Sequence, residues 1–161
     1  VRVMSLLDLF QWFEYSSLLV EMRSSPWLFP IIATIHLLGL AVIGGAVLIV
    51  DLRLLGLGLS RQSPAQLARD VEPLLRGSLV VMLATGLLLL MCFATKYYYL
   101  TAFWVKLASL CLVLIFMFTI RRRLIMTSEM KVSAIRSKLV GLVSLSLWVS
   151  VVLAGRLIGF P

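Results

Sequence analysis

Four uninterrupted apolar runs of roughly 20 residues divide the chain, at about 30–50, 76–95, 101–120 and 139–159. A run of that length as a helix matches a bilayer hydrocarbon core of ~30 Å. A water-soluble domain of 161 residues could not hide a composition that is 61% hydrophobic, because a large share of its residues must face solvent. The runs therefore read as transmembrane helices. The expected fold is all-α: an integral membrane four-helix up-down bundle forming a single membrane domain over 1–161.

The segment before the first span, about 4–22, is also apolar in part but carries Asp8, Glu14 and Glu21. That mixture is too polar to cross a membrane and suits an amphipathic helix in the interface, with Phe10 and Leu18 toward lipid or the other helices. It does not read as a cleavable signal, since no small-residue cleavage site follows it. Ser25 is a candidate helix cap, and Trp27 suits the membrane boundary. Between the first two spans, Ser63-Pro64 reads as the cap and first-turn proline of a short helix ending before Pro73.

Charge orients the bundle. Lys and Arg number 15 against 7 Asp and Glu, for a net charge of +8. In a soluble protein that balance would point to nucleic acid. Here Arg53, Arg61, Arg69, Arg76, Arg121, Arg122, Arg123, Lys131, Arg136 and Lys138 flank the two longer loops, against Arg2, Arg23 and Lys96 on the other side. The positive-inside rule then places those loops in the cytoplasm and both termini on the periplasmic side of a bacterial inner membrane. Nucleic acid is set aside as a partner.

An ionisable side chain inside a span is costly and is a functional candidate by default. His36, Lys106 and Arg156 qualify, at depths of about 9, 8 and 5 Å below the periplasmic ends of three different helices. One imidazole and two cations at one level suit an anionic or electron-rich ligand: haem propionates, a quinone or a lipid phosphate. Histidine is the usual axial ligand of b-type haem, and Lys or Arg can hold its propionates. His36 is the only histidine. A His36/Met91 pair, a five-coordinate iron or a ligand from another chain are the ligation patterns left open.

Plainer readings stand beside each candidate. Lys106 and Arg156 could snorkel to headgroups, and His36 could simply hydrogen-bond a neighbouring helix. Met91, Cys92 and Cys111 suit core filler, and the cysteines lack zinc or disulfide spacing. Tyr97, Tyr98, Tyr99, Trp27 and Trp104 suit interface anchors. Arg121-Arg122-Arg123 reads as a stop signal, with Asp51 and Arg53 pairing locally or with the inner loops. Gly155 and Gly159 are spaced as GxxxG.

The stretches 26–57 (PWLFPIIATIHLLGLAVIGGAVLIVDLRLLGL), 103–108 (FWVKLA) and 145–160 (LSLWVSVVLAGRLIGF) resemble an uncharacterised family of small bacterial four-helix membrane proteins. More distantly, the chain is similar to the haem-containing bacterial protoporphyrinogen oxidases and to the membrane domain of copper-resistance proteins. The oxidase resemblance implies b-haem binding, with His36 and Lys106 at the functional positions. Arg156, in the AGR motif, goes with the closer family.

Three functions follow as expectations. The first is a haem- or porphyrin-binding membrane protein, with an electron-transfer role if electrons pass on to quinone. The second is a non-catalytic accessory subunit of a respiratory or photosynthetic complex, contacting other membrane subunits or further copies of itself. The third is copper handling through His36, Met91 and Cys92. No acid/base pair, nucleophile constellation or nucleotide loop marks a catalytic mechanism, and whether the protein is an enzyme stays open.

Overall fold

The computed structural model describes residues 6–58, 62–126 and 133–158. Arg2, Met4, Ser5, Arg61, Lys131 and Gly159 lie outside the described residues. Every regular element described is helical. Two short helices, α1 (Leu6–Glu14) and α2 (Ser17–Ser24), precede the long α3 (Leu28–Leu55) and α4 (Pro64–Cys92). A single-turn α5 (Ala94–Tyr98) leads to α6 (Thr101–Phe116). That helix continues through a π-helical segment, Met117–Arg121, into α7 (Arg122–Met126), and α8 (Ala134–Leu157) completes the bundle.

Four stretches are long and apolar enough to cross a membrane: Leu28–Leu55, Pro64–Cys92, Thr101–Ile125 and Ala134–Leu157. The chain is therefore a multi-pass membrane protein. With 28 residues, α3 is ~42 Å long and exceeds a ~30 Å hydrocarbon core, so it tilts or projects beyond it. Leu37, Leu38, Val80, Leu112, Ile115 and Leu153 are all exposed. Lipid tails cover such side chains at no cost, so burial inside the protein is confined to a narrow seam.

The seam explains the helix order. α3 packs along both α4 and α8, and α8 packs along α6, whereas α4 and α6 share no extended contact among the described residues. Ile43, Ala46 and Val47 of α3 meet Leu75, Leu79 and Met82 of α4 and Val113, Met117 and Trp148 from the other side. Small residues set the closest approaches. A Cβ on Gly39 would lie 3.5 Å from Met82 Cβ, and one on Gly141 would lie 3.1 Å from the Asp51 carbonyl oxygen.

Local signals set the helix ends. Ser63 Oγ accepts the Gln66 N–H at 3.1 Å, with Pro64 in the first turn. Ser25 Oγ accepts the Leu28 N–H at 3.2 Å. α3 stops at Gly56, whose φ of 82° is the left-handed conformation that glycine adopts without a Cβ penalty. The Leu57 N–H then closes onto the Leu52 carbonyl at 2.8 Å.

Two sequence expectations require correction. The helix opened by Pro64 does not end before Pro73 but runs unbroken to Cys92. A proline removes one backbone hydrogen bond, and burial of Leu67, Leu75 and Leu79 around it outweighs that loss. The expected single helix at 4–22 is instead two, broken at Tyr15-Ser16.

The break lets Glu14 point back into the protein. Its carboxylate accepts the Thr95 N–H at 2.7 Å and pairs with Arg23 at 3.1 Å. Arg23 also donates to the Cys92 carbonyl and lies 5.8 Å over the Phe93 ring. Burial alone would raise the Glu14 pKa, but Thr95 and Arg23 outweigh it and hold the group below the ordinary 4.5. A depressed carboxylate stabilises the docked state above its unfolded pKa and loses that stabilisation as pH falls through the folded value. Undocking of α1 and α2 is thus expected below pH 4.5. Hydrogen exchange at the Thr95 amide checks it: protection should fall with pH in the native protein and be low at all pH in Glu14→Gln.

Candidate functional site

His36 faces α4 from the middle of the terminal half of α3. Its Nδ1 lies 3.1 Å from the Met82 carbonyl oxygen and 3.1 Å from Thr85 Oγ1. The Thr85 hydroxyl itself donates to the Val81 carbonyl at 2.7 Å. Both neighbours of Nδ1 therefore act as acceptors. In the neutral imidazole the proton sits on Nδ1, and Nε2 carries the in-plane lone pair.

Glycine at position 86 makes this seat possible. A Cβ there would stand 3.0 Å from His36 Cε1, tighter than most carbon contacts, so the ring would have to give way; with glycine it lies against bare backbone. Lys106 also lies over a glycine, although there a Cβ would make only ordinary contact. Its Nζ and aliphatic stem cross the surface of Gly155 on α8, where a Cβ would stand 3.5 Å from Nζ.

His36 is seated against α4 and Lys106 against α8. Arg156 follows Gly155 on α8 and is exposed, on a different face from the glycine that Lys106 covers. Of the three expected site residues, His36 and Lys106 each rest on a glycine of a neighbouring helix, and Arg156 is exposed. Met91 lies five positions beyond Gly86. On a regular helix that is ~7.5 Å farther along α4 and ~140° around it.

An aromatic chain lies above the pair, toward the terminal end of the bundle. Phe29 meets Phe93 edge-on at 5.4 Å, Phe93 meets Tyr97 at 6.4 Å, and Tyr97 stacks on Phe103 at 6.0 Å. Phe29 stands seven residues before His36, hence on nearly the same face of α3, and Phe103 stands one turn before Lys106. Trp27 and Tyr99 are exposed, as boundary residues would be. Tyr97 is partly buried and belongs to the roof.

A second polar cluster occupies the other end of the bundle. Asp51 is fully buried, and its Oδ1 accepts from Arg121 Nε at 3.0 Å. Ser144 of α8 is also buried. Asp51 thus pairs with a residue that flanks the second of the two longer loops, and Arg53 Nε donates to the Gln62 carbonyl in the first, as the expected pairing toward those loops allowed. The run of three arginines did not reveal that Arg121 itself is buried. The π-helical turn adds a residue to the turn of α6 and swings Arg121 inward.

Thr85, Gly86, Gly155 and the Arg121 pairing were not visible as site features in the sequence. Thr85-Gly86 did carry a signal, a small polar pair within an otherwise aliphatic span.

Among the described residues, no group of three or more His, Cys, Asp and Glu side chains gathers into a metal site. The two cysteines are free thiols, Cys92 buried and Cys111 exposed. No curated protein and no solved structure matches the chain significantly. A family model does match, over residues 9–161, and it describes a family of unknown function. Because that match spans nearly the whole chain, the protein belongs to the family of unknown function DUF6644.

Proposed function

We propose that the protein binds an anionic or electron-rich cofactor between His36 and Lys106, with b-type haem as the first candidate. One observation carries the reading: Nδ1–H of His36 is committed to the Met82 carbonyl, which leaves Nε2 as the ligating nitrogen. Metal-bound histidines characteristically donate their second N–H to a backbone carbonyl or carboxylate, which fixes the ring and raises its basicity. The donor set fits haem in two further respects. Lys106 offers an ammonium to a propionate, and the roof from Phe29 to Phe103 suits a flat macrocycle. Bound there, haem would supply one-electron redox chemistry.

By the positive-inside bias, this end of the bundle faces the periplasm.

The test is the absorption spectrum of protein purified in mild detergent, before and after dithionite. A Soret band that shifts on reduction supports the proposal. A colourless protein with bound copper would redirect the assignment to His36, Met91 and Cys92. A colourless, copper-free protein that co-purifies with stable membrane partners would favour an accessory subunit.

A further inference from the structure

At the loop end, α4 and the π-helical segment stand apart and leave a groove. Val71 and Leu75 form one wall, Phe118 the other, and Glu72, Arg121 and Arg122 lie along it. Beyond the groove, α7 closes back onto α4. Charge within it is largely neutralised. Arg121 is paired with Asp51, and Glu72 is paired with Arg76. Arg122 is exposed and supplies the net positive charge. Phe118 is also exposed, at 44%, so the apolar wall continues onto the surface that lipid covers.

We propose that this groove is a binding site for an anionic phospholipid, independent of the cofactor reading. The acyl chain lies along Val71, Leu75 and Phe118, and the phosphodiester meets the Arg122 guanidinium. A groove between two membrane spans is filled by acyl chains in any case. Charge complementarity is what selects the headgroup. A guanidinium matches phosphate oxygens in a two-pronged, charge-assisted geometry. The flanking Arg69 and Lys138 at the same end of the bundle favour a lipid with no compensating cation.

Titration of the detergent-purified protein with dioctanoyl phosphatidylglycerol and dioctanoyl phosphatidylcholine, read by native mass spectrometry, tests the site. Phosphatidylglycerol should bind more tightly. Arg122→Gln should weaken it about fivefold, the effect of one cation near an anionic headgroup, and leave phosphatidylcholine unchanged. Val71→Trp, which fills the groove, should weaken both lipids. Arg136→Gln removes an exposed charge from the same end outside the groove and should change neither. Equal binding of the two lipids by the native protein overturns the proposal. So does an equal loss of phosphatidylglycerol in Arg122→Gln and Arg136→Gln, which would mean diffuse surface charge alone.

Discussion

Asp51→Ala is expected to destabilise the protein by about 3–5 kcal/mol, because it strands the Arg121 charge in a buried position. Only 6% of the Arg121 side chain and none of the Asp51 side chain is exposed, so water cannot take over the lost partner. Arg121→Ala should cost as much, by leaving the carboxylate unpaired. The pair matters beyond its own energy. α4 and α6 share no extended packing, so the Asp51–Arg121 bond and the contacts to α8 carry much of what holds the α6–α7 stretch in place.

Replacing both residues, as Asp51→Leu with Arg121→Met, should recover most of the loss, since a well-packed apolar pair avoids the desolvation penalty. Thermal unfolding in detergent measures all four proteins. A single-variant loss below ~1 kcal/mol, the scale of an exposed ion pair, would mean that water reaches the pair after all.

The same pair shows where sequence reading stops. Helix number and class were legible because bilayer thickness imposes a length that apolar runs reveal directly. The caps at Ser25 and Ser63 were legible because they depend on neighbours within a few residues. Pro73 misled because a local helix breaker is overruled by packing on both sides of it. Arg121 misled for a different reason. In the sequence it is the first of three adjacent arginines, and only the π-helical turn separates it from the two that stay exposed.

The candidate site was half legible. Depth along a helix follows from counting residues, so His36, Lys106 and Arg156 could be set at one level. Rotation about the helix axis does not follow from counting. It is fixed by where a neighbour can be admitted, as at Gly86 beneath the imidazole. The packing seats His36 against α4 and Lys106 against α8, while Arg156 is exposed.

If His36 ligates the cofactor, His36→Ala should abolish the Soret band while the protein stays folded. The variant loses the Nδ1 contact to the α4 backbone, a change of about 1 kcal/mol that a four-helix bundle tolerates. Its thermal unfolding, measured on protein stripped of any cofactor, should therefore remain close to that of the native chain. Lys106→Gln makes a different prediction. It removes a charge that would meet a propionate but leaves the axial nitrogen intact, so the band should persist with retention weakened about tenfold.

Thr85→Val separates positioning from ligation. It deletes one of the two acceptors around Nδ1 and keeps the Met82 carbonyl, so the ring retains its tautomer and the band should survive with a shifted reduction potential. A native band that persists undiminished in His36→Ala would remove His36 as the ligand, whatever cofactor is bound. Loss of the band in Lys106→Gln but not in His36→Ala would place the ligand's anionic edge, rather than its metal, at the centre of recognition.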